Sequence, residues 1–538
     1  MKKFTDVIVL GFALFSMFLG AGNLIFPPTL GQIAVSKWWL ALIGFLVTGV
    51  GLPVLGVLAV TFREGNLDKF TRGMPTIVNT IFISTIILII GPLSAIPRTA
   101  ATTYEIGIAP VVEKMAVSKK AKIEAWKTEK SAQQPYELTE KARAAHKKGL
   151  KLAELGETHE AVETAATAAT AATAAKRPSS PFLLYLTSFI YFAIVTLFVL
   201  NPGKIIDQLG AVLTPALIII LALLIGRGIV APVGKPMPYE QKVAGSPTAA
   251  ADLKFANATN FQRGFKEGYQ TMDALASILF TTIVIAGVLE RGYKGRSMLL
   301  ITLAAGLVAC FGLACAYGGL SYIGACSSSD PVRFPPTLTR TQLLVKLTDA
   351  LWGNLGTYIL AAAIALACLT TAIGMTATAA KYFSDKFADD ISYRATTLII
   401  VIISFFLSTL GVDSIIRIAG PVLEIMYPIA IVFIILNLFD KFIPNSGYYV
   451  GAVIGAVTVS LLQVWSSAQG LIQKFFTSDI ISPSTLEALN FEATAVFVES
   501  LPLEKWGFPW VVPAVITSIV FGLVCQIRKS LEAKGKEA

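Results

Sequence analysis

Long stretches without a charge dominate this chain. Val7 to Ser36 runs 30 residues, Trp38 to Phe62 runs 25, and Met74 to Pro97 runs 24. A hydrocarbon core about 30 Å thick needs roughly 20 apolar residues of helix, so each stretch is long enough to cross it. The same reading along the chain predicts twelve spans: 6–35, 38–62, 74–112, 181–201, 203–230, 262–289, 297–325, 346–380, 394–411, 413–439, 446–468 and 507–527. The fold class expected is an all-α polytopic membrane protein.

The polar intervals orient the spans. Arg63, Lys69 and Arg72 follow span 2. Arg291, Lys294 and Arg296 follow span 6, Lys381, Lys386 and Arg394 separate spans 8 and 9, and Arg528, Lys529 and Lys534 follow span 12. All fall on one side if both termini are cytoplasmic, as the excess of basic residues in cytoplasmic loops requires. Lys2 and Lys3 precede an apolar stretch far longer than a signal-peptide core, so the first span is expected to stay uncleaved. The interval 113–180 differs in kind. It is rich in Ala, Lys, Glu and Thr, with Thr164, Thr167, Thr170 and Thr173 three apart, and offers no apolar face to bury. By parity it is an extracytoplasmic insert, outside the chemistry.

Composition narrows the function. The 538 residues are 54% hydrophobic and 14% charged, against about 25% charged in soluble domains. The two histidines, His146 and His159, lie in the insert. No imidazole base or His metal site is therefore available within the spans, which argues against an intramembrane enzyme. Cys310, Cys315, Cys326, Cys368 and Cys525 form no CxxC pair and read as small buried residues. The net charge of +10 suits basic loops facing the cytoplasm better than a nucleic-acid partner. No pore-lining charged ring or repeated filter loop suggests a channel.

Two spans carry helix-breaking chemistry at membrane depth. Span 1 contains Gly20-Ala21-Gly22-Asn23 and then Pro27-Pro28. Gly and Pro both weaken a helix interior, and 30 residues of helix span about 45 Å, more than one crossing needs. An unwound segment near Gly20–Asn23 accounts for both facts; packing through small residues is the other reading. In span 6 the polar run Gly268-Tyr269-Gln270-Thr271-Met272-Asp273 precedes a short apolar stretch. Spans 1 and 6 are corresponding members of two five-span halves, and paired interrupted helices point to a secondary transporter's binding site. Half-helix N-termini favour an anion and unwound carbonyls a cation, so a zwitterion such as an amino acid suits both.

Span 8 offers a cation site. Ala367, Thr370 and Thr371 share a helix face at i, i+3 and i+4. A carbonyl and two hydroxyls are hard oxygen ligands for Na⁺, although threonine on a membrane helix also bonds its own preceding turn. In span 3, Arg98 and Glu105 are seven apart and share a face, as a packing or gating ion pair before a substrate contact. Glu424 and Arg417 in span 10 are read in the same way. An ionisable residue within the membrane is a functional candidate because its burial is costly.

On these residues the chain resembles the bacterial branched-chain amino-acid carriers, cation symporters for leucine, isoleucine and valine. The likeness runs through GFALFSMFLGAGNLIFPP (11–28), GFLVTGVGLPVLGVLA (44–59), GPLSAIPRTAATTYEIGIAP (91–110), YFAIVTLFVLNPGKIID (191–207), NFQRGFKEGYQTMDALA (260–276) and ALACLTTAIG (365–374). It leaves out the insert. That family is similar in architecture to leucine-transporter-type carriers, which implies a five-plus-five inverted repeat with broken helices 1 and 6 and two added helices. Residues 1–230 would form the first repeat, 231–440 the second, and 441–538 the added helices and tail.

The resemblance also implies roles. Backbone around Gly20, Ala21 and Gly22 would hold the substrate carboxylate. Tyr269, Gln270, Thr271 and Met272 would frame its amino group and side chain. Carbonyls of Ser16 and Leu19, with Ala367, Thr370 and Thr371, would bind sodium. Asn23 matches an asparagine that in some members of the fold binds a second sodium beside the substrate, and Tyr104 lies on the helix that supplies a carboxylate-binding tyrosine. Implied partners are branched-chain amino acids, Na⁺ and the lipid bilayer, in the bacterial inner membrane, with no cofactor and no enzymatic activity. One methylene is worth only about 1–3 kcal/mol of discrimination, so Leu, Ile, Val and Met should all be accepted. Proton coupling through Glu105 or Asp273 is the competing expectation.

Overall fold

The computed structural model describes residues 2–116, 181–200, 213–244, 249–387, 391–475 and 491–537. The expected insert from 117 onward, and the stretch 201–212 at the start of the fifth expected span, lie outside the described residues. The chain divides into two compact units, Met1–Ile108 with Thr187–Ala538, and Ala109–Leu186.

Among the described residues the secondary structure is helical, without strands. The first unit opens with α1 (Lys2–Phe18), α2 (Ala21–Ala34), α3 (Trp38–Leu46) and α4 (Leu52–Phe62). Then come α5 (Thr76–Leu88), α6 (Ala95–Thr102), α7 (Pro181–Val199), which begins in the second unit, and α8 (Thr214–Val230). The next four are α9 (Ala249–Tyr269), α10 (Asp273–Glu290), α11 (Gly295–Ser327) and α12 (Arg340–Trp352). The last are α13 (Asn354–Lys386), α14 (Tyr393–Ser408), α15 (Val412–Leu438), α16 (Gly447–Phe475) and α17 (Val511–Glu537). Nine helices among the described residues are long and apolar enough to cross a membrane. α8 and α14 are shorter apolar helices. The chain is a multi-pass membrane protein. Its outward faces carry exposed Phe189, Ile219, Phe311 and Ile402, side chains suited to lipid contact.

Several breaks are sharper or placed differently than the sequence suggests. The first interruption is confined to Leu19 and Gly20, and Ala21, Gly22 and Asn23 are already helical. The helix before the second interruption starts at Ala249, in a polar stretch well before the expected 262. Span 8 is cut by Gly353, whose φ of +57° favours a residue without a side chain, so α12 and α13 are separate helices. α12 begins with a reciprocal cap, in which the Gln342 amide donates to the Thr339 hydroxyl at 3.3 Å and the Thr339 amide to Gln342 Oε1 at 3.1 Å.

Span 3 departs furthest from a straight helix. A π-turn covers Ile89–Leu93, where Gly91 leaves helical geometry and Pro92 lacks a donor, and another covers Thr103–Ile108. The second π-turn rotates Glu105 off the face it would share with Arg98. Glu105 Oε1 instead accepts the Val412 amide at 3.0 Å, where α15 begins. The expected Arg98–Glu105 pair does not form.

The helices approach closely where glycines face backbone. A Cβ on Gly31 would overlap the Ser321 carbonyl and one on Gly324 the Pro28 carbonyl, so α2 and α11 cross there. Gly44 meets the Phe261 backbone and Gly264 the Ala41 backbone, which brings α3 against α9 in the same way. Without a hydrophobic drive between helices in lipid, such close backbone contact supplies much of the packing energy. Gly324→Leu should therefore abolish monodisperse protein on size-exclusion chromatography in detergent. Gly226→Ala, where nothing lies within 4 Å of the added carbon, should leave the elution profile unchanged.

Candidate functional site

α1 ends at Phe18 and α2 starts at Ala21. Gly20 is extended, with φ −97° and ψ −165°. Its amide donates back to the Phe18 carbonyl at 2.8 Å and also to Asn23 Oδ1 at 3.1 Å. The Asn23 side chain thus closes the turn that its own helix opens, which fixes the amide's orientation: Oδ1 accepts from Gly20 and Nδ2 points away.

Nδ2 points at the second break. It donates to Asp273 Oδ2 at 2.6 Å and to the Tyr317 hydroxyl, which itself donates to Asp273 Oδ2 at 2.9 Å. Asn23, Asp273 and Tyr317 are all buried. Asp273 is the first residue of α10, where free N–H groups and the helix dipole favour an anion. The chain reaches it through Gln270, Thr271 and Met272, and Met272 is left-handed at φ +65°, an uncommon conformation for a residue with a side chain. The Thr271 hydroxyl ties this turn down by donating to the Gly268 carbonyl at 2.8 Å. The two breaks are joined directly through this buried polar triangle.

A third element, α13, grips the end of α1. The Thr370 hydroxyl lies 2.9 Å from the Ser16 carbonyl and 3.0 Å from the Ala367 carbonyl, and the Thr371 hydroxyl lies 3.2 Å from Ser16 O. A Cβ on Gly20 would sit 3.1 Å from Thr371 Oγ1. Two carbonyls and two hydroxyls therefore converge where α1 ends, a set of neutral hard oxygens of the kind an alkali cation takes. Leu19 is buried in this turn. Among the described residues no cluster of His, Cys, Asp or Glu could hold a metal ion.

Arg98 reaches the same region from α6. It is 3% exposed, and its Nη1 donates to the Gln270 carbonyl at 2.8 Å. A Cβ on Gly22 would meet its Nη2 at 2.8 Å, and its Cζ stands 5.7 Å from the Phe26 ring centroid. Arg98 therefore faces the helix breaks rather than Glu105. Above it, Tyr269 stacks on Tyr427 with centroids 4.2 Å apart. Tyr269 and Gln270 line a cleft of about 490 Å³ whose walls include Lys266, Arg340, Glu424 and Trp510. Arg340 pairs with Glu267 at 3.0 Å on that wall.

The opposite helix ends are tied by ion pairs. Asp6 meets Arg291 at 3.4 Å and accepts the Tyr293 hydroxyl at 2.6 Å, linking the start of α1 to the end of α10. Asp440, beyond the end of α15, meets Arg63 at 3.0 Å and Arg72 at 2.7 Å. Burial pushes the Asp440 carboxyl up, but hydrogen bonds from Arg63, Tyr449 and Arg72 prevail and hold it below the usual carboxylate range.

The structure thus gathers Ser16, Gly20, Gly22, Asn23, Gln270, Thr271, Ala367, Thr370 and Thr371 around the two breaks. Met272 is fully buried in the second turn. Tyr104 is buried on the π-turn, and its hydroxyl has no hydrogen-bond partner. Tyr317 was not anticipated; its one signal is a phenol inside an apolar span, where the hydroxyl needs a partner.

A buried polar centre assembled where two membrane helices break is an arrangement that solute carriers use at their binding sites. The model of the family described as branched-chain amino acid transport protein matches residues 3–123 and 155–528. Relatives named for branched-chain amino acid carriage, from Staphylococcus aureus (strain USA300) and Staphylococcus haemolyticus, are each 31% identical, over 523 and 526 residues, 96% of this chain and of theirs. The chain belongs to the branched-chain amino acid transport family. The gap in the family match, 124–154, falls within the segment expected to be an insert.

Removing the Tyr317 hydroxyl takes one donor from a buried carboxylate, a loss of about 1–3 kcal/mol. Tyr317→Phe should lower the unfolding temperature in detergent. Tyr104→Phe, which removes an unpartnered hydroxyl, should leave it within experimental error.

Proposed function

We propose that this protein is a secondary active transporter that imports leucine, isoleucine, valine and methionine by sodium symport through alternating access. The observation that carries the coupling ion is the convergence of the Thr370 and Thr371 hydroxyls on the Ser16 carbonyl beside the α1 break. Sodium would take Ser16 O, Leu19 O, Ala367 O and the two hydroxyls. The amino acid would lie between the breaks, with its carboxylate at Gly20, Ala21, Gly22 and Tyr104, and its amino group and side chain framed by Asn23, Tyr269, Gln270, Thr271 and Met272.

The organisation that fits is twelve spans as a five-plus-five inverted repeat and two added helices. Residues 1–230 form the first repeat, with 113–180 as an extracytoplasmic insert, 231–440 the second, and 441–538 the added helices and tail. Both termini face the cytoplasm of a bacterium, across its inner membrane. On that orientation the ion pairs of Asp6 and Asp440 close the cytoplasmic end, while the cleft over Tyr269 and Gln270 opens outward. α15 supports this polarity, since it lines the cleft near Ile416 and Leu423 and ends beside Asp440. Alternation requires the Asp6–Arg291 contact to break as the cleft closes.

One observation favours a second reading, proton symport of the same substrates. Asp273 is a buried carboxylate in direct contact with the first break, and a proton could load there. Glu105 is less suited, because it already accepts the Val412 amide.

Isoleucine uptake into proteoliposomes separates the two. An inward Na⁺ gradient at matched voltage should drive accumulation, and Thr370→Ala should reduce it at least tenfold while leaving the protein monodisperse. Accumulation driven only by an inward H⁺ gradient, spared by Thr370→Ala and abolished by Asp273→Asn, would overturn the sodium reading. No isoleucine uptake under either gradient would overturn the substrate.

A further inference from the structure

We infer that Arg98 is the anchor for the substrate's carboxylate and the chief source of selectivity for amino acids over their uncharged-end analogues. The inference rests on the transport reading above and adds a residue to that site.

The guanidinium has five N–H donors and a permanent charge. It is buried, yet among the described residues no carboxylate stands within ion-pair distance of it, Asp273 acting on it only at longer range, and its Nε finds no hydrogen-bond acceptor. The Gln270 carbonyl takes one donor on Nη1, and the Phe26 ring offers a weaker attraction. A buried cation so sparsely satisfied is costly in a folded membrane protein, and the deficit points to an anion.

Position selects which anion. Nη2 lies against Gly22, in the first turn of α2, where N–H groups lack intrahelical acceptors and the dipole is positive. A carboxylate beside that contact would accept from the guanidinium and from the free N–H groups of the turn at once. A Cβ at position 22 would press on the guanidinium and on the Phe26 ring, so glycine there lets Arg98 come close to the turn. The Gln270 bond points Arg98 at the second break, whose carbonyls and Asp273 carboxylate suit an ammonium group. The distance between the charged ends of an α-amino acid is short, so one cation and one anion on neighbouring breaks recognise that zwitterion rather than a fatty acid or an amine.

The competing role is positional, in which Arg98 only holds the Gln270 carbonyl. Binding of isoleucine and of isoleucinol, which keeps the amine and side chain but lacks the carboxylate, distinguishes the two on the purified full-length protein. Wild type should bind isoleucine at least tenfold more tightly. Arg98→Gln should weaken isoleucine on the order of 30-fold or more and leave isoleucinol nearly unchanged, so that the preference collapses. Arg98→Lys keeps the charge without the fork and should fall between. If both ligands weaken together, or the preference survives in Arg98→Gln, Arg98 is not the anchor. Should Arg98→Gln fail to fold, an unchanged preference in Arg98→Lys overturns the inference and a reduced one sustains it. Wild type that binds no isoleucine would instead overturn the substrate reading itself.

Discussion

Everything at the centre of this protein follows from one constraint: in a bilayer core no water is available, so a broken helix must find partners for its backbone within the protein. Two helices break side by side here, and the side chains around them are those that discharge the obligation. Asn23 accepts the Gly20 amide, Thr370 and Thr371 donate to the Ser16 carbonyl, Thr271 donates to the Gly268 carbonyl, and Arg98 donates to the Gln270 carbonyl. Polar residues are expensive in a membrane protein, and these cluster because the breaks need them. Under the proposed function, binding would be a second use of the same groups.

Close packing keeps the breaks in register. α2 is pressed to α11 at Gly31 and Gly324, and α3 to α9 at Gly44 and Gly264. Each crossing involves one half of a broken helix, so each half is held by backbone contact against a neighbouring helix as well as by its own hydrogen bonds. Tyr317 completes the arrangement from α11. The helix that α2 crosses also carries the hydroxyl that reaches Asp273, so a shift of α2 against α11 is felt at both breaks.

Much of this was legible in the sequence, and for a physical reason. Glycines at 20 and 22 with prolines at 27 and 28, and a polar run at 268–273, violate the rules for a buried helix, and violations at membrane depth mark function. Thr370 and Thr371 were legible because hydroxyls at helical spacing share a face. What was not legible depends on rotation and reach. The π-turn at Thr103–Ile108 adds a residue to a turn with no sequence mark strong enough to find it, and it moved Glu105 from Arg98 to the Val412 amide. Arg98 read first as a packing or gating partner of Glu105, although the non-helical geometry at Gly91 lets the chain bring it to the breaks. Tyr317 shares its span with other hydroxyls, Ser321 one turn on among them, so nothing singles it out, and its partners are 294 and 44 residues away.

The satisfied state of the breaks bears on coupling. The hydroxyls of Thr370 and Thr371 donate to Ser16 O, whereas a cation needs their lone pairs and that same carbonyl. An ion entering under the sodium reading must replace hydrogen bonds worth about 1 kcal/mol each with ligation, and the ligation spans α1 and α13. A ligand shifts a conformational equilibrium only by its different affinity for the two states. If α1 leaves α13 during alternation, the ion's ligands are divided between the separating elements, and the ion favours the state in which they are together. The amino acid would act similarly on α2 and α10 through Asn23 and Asp273, which already touch. Ion and substrate would then bias the same contact surface between the broken helices and their neighbours, and that shared surface is a sufficient physical basis for coupling the two.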